Sequence, residues 1–134
     1  MTAYTPTWKI WIQKAHSDLK SAKILLEQPG DEFLENVVYL SQQSAEKSIK
    51  GYLTLTKNRF KKTHKIFELL EVLAQSDLVF SELLKPSDAL TVYATAFRYP
   101  EEGKEPIPLV KTTAISAVKI AEWVFLEIQM RTPK

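Results

Sequence analysis

Three short stretches of this sequence carry side chains whose types and spacing suit chemistry. In the first, Gln42-Gln43-Ser44-Ala45-Glu46-Lys47-Ser48-Ile49-Lys50, the residues Gln42, Glu46 and Lys50 recur every four positions. On a helix that spacing lines them along one face. The ordinary reading is a solvated face with a Glu46–Lys50 ion pair worth about 0.3–0.5 kcal/mol. The second stretch is Thr63-His64, which follows the cations Lys57, Arg59, Lys61 and Lys62 and precedes Lys65, with no acidic residue between 57 and 65. Either Thr63 caps a helix and His64 is a surface side chain, or a neutral imidazole in a cationic setting hydrogen-bonds a ligand. The third is Arg98-Tyr99-Pro100. An arginine fork beside an aromatic ring can grip a phosphate and stack a base, or the arginine can cap the C-terminus of its own helix.

These residues need a scaffold, and the hydrophobic pattern supplies one. A first helix is predicted over 7–28. Its face is Trp8, Ile12, Ala15, Leu19, Ala22 and Leu26, with steps of three and four. Pro29-Gly30 stops it. A second helix is predicted from Asp31, a suitable N-cap, to about Thr56. It carries an unusually small ribbon, Ser41, Ser44, Ala45, Ser48 and Gly51, which admits a close neighbour from the same chain or from a second subunit. A third helix is predicted over 64–75 behind a Thr63 cap. A fourth is predicted from about Pro86 to Phe97, with a short turn at 77–84 before it. Residues 98–108, with three prolines and a glycine, read as a loop, and a last helix follows over 109–130. No stretch alternates with a period of two. The expected architecture is all-α: an up-and-down bundle of four long helices with an additional short one, in one domain spanning 1–134.

Composition agrees with that scaffold and removes several function classes. With 134 residues, 45% hydrophobic and 25% charged, the chain can bury a core without a staple. It has no cysteine, which excludes a disulfide framework, a thiolate metal site and a cysteine nucleophile. Two histidines, His16 and His64, are too few for a histidine-rich metal centre, and His16 reads as a structural or surface residue. No metal and no cofactor is expected. P-loop, GxGxxG and GxSxG motifs are absent. No run of about 18 apolar residues is present, so no membrane span is expected, and no signal-type apolar core follows a basic start. The cytoplasm is the expected compartment. The net charge of +2 is small, but the run from Lys57 to Lys65 makes one end of the molecule positive.

The order of these motifs resembles the HEPN family, in its branch of stand-alone prokaryotic proteins. Ala15, Asp18-Leu19, Ala22 and Leu25-Leu26 match the opening helix. Gln42-Gln43, Glu46-Lys47 and Lys50 match the next. Thr63-His64, Ile66 and Leu69-Leu70 match the third, and Arg98-Tyr99-Pro100 closes the fourth. The resemblance covers about residues 9–128. It implies a helical bundle that often forms homodimers and works near nucleotides or RNA. It also implies a nucleotidyltransferase partner in a toxin–antitoxin pairing. Other branches of the family are metal-independent ribonucleases that use an arginine and a histidine four to six residues later. Here Gly103, Lys104 and Glu105 follow Arg98 where that histidine would stand. Arg59 and His64 have the bare spacing, but in the connection before the third helix.

Three readings follow. In the first, a homodimer binds a nucleotide or RNA through Lys47, Lys50, His64, Arg98 and Tyr99 and acts with a nucleotidyltransferase. In the second, a metal-independent ribonuclease uses His64 as general acid–base and Arg59 or Arg98 to stabilise the transition state. In the third, a structural adaptor dimerises through the small ribbon of the second helix.

Overall fold

The structure, a computed structural model, describes residues 4–98, 100–105 and 108–133. It contains α1 (Thr7–Leu26), α2 (Leu34–Leu55), α3 (Ile66–Ala74), α4 (Leu78–Arg98) and α5 (Lys111–Gln129). Among the described residues there is no strand. Four of the helices are long, and the nine-residue α3 is the short additional one. The expected helical bundle is therefore present.

The central element is α2, which packs against all four other helices. From Ser41 to Gly51 only Gln43 and Lys47 escape full burial. The small ribbon is what allows this. The Ser44 hydroxyl donates to the Ala15 carbonyl of α1 at 2.7 Å. A Cβ added at Gly51 would lie 2.8 Å from Ile12 Cδ1, 3.0 Å from Trp11 Cβ and 3.1 Å from the Trp8 carbonyl oxygen. Any side chain there would push α1 away. The ribbon is thus covered from within the chain, and it is unavailable as the dimer face of an adaptor. Around it, Ala15, Leu19 and Ala22 of α1, Val37, Ile49 and Leu53 of α2, and Ala117, Ala121, Val124 and Ile128 of α5 form the core.

Three helix boundaries differ from the sequence expectation. α2 starts at Leu34 without a side-chain cap, and Asp31 instead closes a turn through its carbonyl, which accepts from Leu34 N. Leu34 is the first residue of that segment to be buried, so packing rather than capping sets the start. α3 starts at Ile66, not behind a Thr63 cap. The Thr63 hydroxyl accepts from Lys65 N at 3.1 Å, and Lys65 is extended (φ −83°, ψ 102°). His64 is tied to α2 instead of entering the helical turn.

The largest difference is α4, which runs unbroken through Pro86 from Leu78. Asp77 caps it: its Oδ1 accepts from Val79 N at 3.2 Å and its carbonyl from Phe80 N at 3.1 Å. Proline removes one helical hydrogen bond and costs about 3 kcal/mol in a helix interior. Phe80 and Leu83 before it and Ser87 and Leu90 after it are all fully buried on one side, so continued packing outweighs that cost.

α2 ends in a Schellman-type cap. Asn58 N donates to the Leu53 carbonyl at 2.9 Å and Lys57 N to Thr54 at 3.2 Å, with Lys57 left-handed at φ 58°. That turn launches the basic connection toward His64. Near the same end of the bundle, where Phe80 meets Tyr52 of α2, Arg131 ties the end of α5 to the start of α4. Its Nε donates to Asp77 Oδ2 at 2.9 Å, its Nη1 to Glu127 Oε2 at 2.8 Å, and its guanidinium lies over the Phe80 ring.

Candidate functional site

Gln42, Glu46 and Lys50 do lie along one helix face, but that face is covered. Their exposures are 4%, 3% and 8%. The solvated-face reading is therefore corrected: α2 is surrounded, so its polar face must be satisfied internally. Glu46 is the hub. Its Oε1 accepts from Gln42 Nε2 at 3.3 Å, and Lys50 Nζ reaches its Oε2 at 3.2 Å. The ammonium of Lys50 also sits 5.8 Å from the centre of the Trp11 ring on α1. From the far side, His64 Nδ1 lies 3.0 and 3.2 Å from the two carboxylate oxygens. Gln42 Nε2 also donates to the His64 carbonyl at 3.1 Å, so backbone and ring of His64 are both fastened to α2. Gln43 Nε2 donates to the Gln42 side-chain oxygen Oε1 at 3.0 Å and extends the network outward.

The result is a buried carboxylate with three different donors, one of which is a solvent-facing imidazole. His64 is 84% exposed although its Nδ1 is engaged. It borders a cavity of about 260 Å³ between α2 and α4, lined also by Tyr39, Gln42, Gln43, Thr91, Ala94 and Thr95. Lys57, Arg59, Lys61, Lys62 and Lys65 are all exposed. Among the described residues none of these five forms an ion pair.

The other sequence candidates fare differently. Lys47 is not presented to a ligand, because it is half-buried and holds Asp18 of α1 at 2.6 Å. Lys50 is buried and committed to Glu46 and Trp11. Arg59 is exposed on the connection that carries His64. Arg98 is the last residue of α4. By helical register its position lies one turn beyond Ala94 and Thr95, which line the cavity. Tyr99 lies outside the described residues. The contributions of Tyr39, Thr91 and Thr95 were not read from the sequence. The signal available was the three- and four-residue spacing of Thr91, Thr95 and Arg98 along one helix. Among the described residues no group of three or more acidic or histidine side chains is placed to hold a metal ion. No helix there is long and apolar enough to cross a membrane.

The fold has known counterparts. A family model described as the HEPN domain matches residues 8–130, and the chain belongs to that family. The crystal structure of an archaeal HEPN homologue superposes with a TM-score of 0.72 at 24% identity, covering 95% of this chain and 98% of that one. A crystal structure of a protein from Thermus thermophilus superposes with a TM-score of 0.79 at 23% identity, covering 96% and 100%. At that identity these likenesses speak to the fold. No curated protein matches the chain in sequence.

Proposed function

We propose that this HEPN chain is a nucleotide- or RNA-binding module that acts as a homodimer with a nucleotidyltransferase partner in a toxin–antitoxin-like setting. The single observation that carries the binding part is the set of five exposed cations from Lys57 to Lys65, without ion pairs among the described residues, on the connection that carries an imidazole held by a buried carboxylate. Cations without carboxylate partners are the electrostatic footprint of a phosphate-binding surface. Their neighbour His64 is held in place, so it adds a directional contact to an otherwise diffuse attraction. The partner and the dimer rest on the family, whose members often dimerise.

The experiment is fluorescence anisotropy with a short single-stranded RNA, together with a thermal-shift panel of ATP, GTP, CTP and UTP. Binding is expected to weaken in Lys61→Glu/Lys62→Glu and to fall with salt at a slope of about −0.7 per phosphate contacted. Affinity that is indifferent to both the charge reversal and salt overturns the binding reading.

One observation favours a second reading, a metal-independent ribonuclease. A histidine whose Nδ1 is held by a carboxylate is oriented as general acid–base catalysts are. Arg59 lies on the same connection. This reading expects RNA cleavage in EDTA that His64→Ala abolishes. Cleavage that survives the substitution removes it.

A further inference from the structure

We propose that the cavity between α2 and α4 is a sugar subsite in which His64 accepts a ligand hydroxyl through Nε2, so that the chain selects ribose phosphate esters over those lacking a free 2′-hydroxyl. This rests on the phosphate-binding reading of the basic connection and adds to it what the adjoining cavity recognises.

The argument starts from Glu46. An ionised carboxylate has no proton to donate. His64 Nδ1 lies within hydrogen-bond distance of both its oxygens, so Nδ1 carries the proton. Lys50 already balances the carboxylate charge, and the Gln42 amide supplies a further donor. In a neutral imidazole, a proton on Nδ1 leaves a lone pair on Nε2. A phosphate oxygen is itself an acceptor and cannot satisfy that nitrogen. The group that can is an O–H or N–H of the ligand.

The walls point the same way. Beside His64 the cavity is lined by the hydroxyl and amide side chains of Tyr39, Gln42, Gln43, Thr91 and Thr95, none with a formal charge, and by the methyl of Ala94. The Thr91 hydroxyl is buried and finds no hydrogen-bond partner among the described residues. A volume of about 260 Å³ suits a pentose or a small nucleoside fragment rather than a folded nucleic acid. The cations lie outside it, on 57–65. Phosphate on the connection and sugar in the cavity place His64 between the two, where a ribose hydroxyl meets Nε2. The 2′-hydroxyl is a donor that DNA lacks. Glu46 is then a positioning residue, acting on the ligand through the tautomer of His64.

The test needs no variant to begin. Labelled oligouridines with 2′-hydroxyl, 2′-O-methyl and 2′-deoxy sugars are compared by anisotropy, and UMP with dUMP by NMR titration. The 2′-O-methyl probe keeps the ribose pucker and replaces the donated proton by a methyl group, and the 2′-deoxy probe removes the hydroxyl without adding bulk. The proposal expects both modified oligomers to bind about three- to tenfold more weakly. Long-range ¹⁵N–¹H spectra of the free protein should show the His64 proton on Nδ1. Lys61→Glu/Lys62→Glu should weaken all probes while preserving their ratio, whereas His64→Ala and Glu46→Gln should flatten the ratio. A preference confined to the oligomers identifies RNA as the source of the ribose, and one confined to UMP identifies free nucleotide. Equal affinity for all sugars, with the lysine effect intact, overturns the subsite and leaves the phosphate reading standing. A proton on Nε2 overturns it as well. No binding of any probe overturns both.

Discussion

In the folded chain Glu46 is a carboxylate with 3% exposure, and its removal strands Lys50. The magnitude follows from the geometry. Lys50 Nζ lies 3.2 Å from Glu46 Oε2, and its side chain is 10% exposed. Deleting one partner of a buried ion pair costs about 3–5 kcal/mol, because the other charge stays desolvated. The small residual exposure and the Trp11 ring soften this, so Glu46→Ala is expected near the lower end, about 3 kcal/mol. In a domain of this size that lowers the melting midpoint by about 10 °C. Replacing both partners with apolar residues, as in Glu46→Leu with Lys50→Met, is expected to cost within about 1 kcal/mol of wild type, since no charge is left buried. The assay is urea unfolding of Glu46→Leu, Lys50→Met and the double variant, read as a double-mutant cycle, with Glu46→Ala measured alongside. A cost for Glu46→Ala below about 0.5 kcal/mol, the scale of a solvated i,i+4 pair, would refute the buried network and restore the exposed-face reading of the sequence.

Further outcomes can be checked on the same instruments. Gly51→Ala places a methyl against Ile12, Trp11 and the Trp8 carbonyl, and is expected to cost about 1–2 kcal/mol after the gain in helix propensity. An unchanged or raised midpoint would contradict the close α1–α2 approach. Lys57→Gly relieves a left-handed residue at the end of α2 and is expected to stabilise by about 0.5–1 kcal/mol in urea unfolding, whereas a loss would contradict the Schellman cap. The hydrogen bond from Arg131, followed by that from Val79 N, holds the Asp77 carboxyl below its ordinary value of 3.8. A carboxyl lowered on folding stabilises above its unfolded pKa, and that contribution disappears as pH falls through the folded value. Asp77→Asn should therefore flatten the stability profile below about pH 4. A profile unchanged by the substitution would remove Asp77 from the acid response.

The sequence by itself determined the helical class and most of the helix positions. Apolar residues at steps of three and four are the direct imprint of 3.6 residues per turn, and the buried positions Ala15, Leu19 and Ala22 or Ala117, Ala121 and Val124 fall where that periodicity puts them. It also marked Gln42, Glu46, Lys50 and His64 as residues of interest, and it placed five cations on one connection. Tertiary structure decided what those residues do. An i,i+4 spacing states that side chains share a face but not whether another element covers it. α2 packs against all four other helices, so its polar stripe became an internal network instead of a solvated one. His64 meets Glu46 across 18 residues of sequence, a pairing that no local pattern encodes. Pro86 shows the same limit. Its local preference is to end a helix, and burial of Phe80, Leu83, Ser87 and Leu90 along one side overrides that preference. Local rules act over one or two turns. The choice among the alternatives they allow belongs to contacts made between helices.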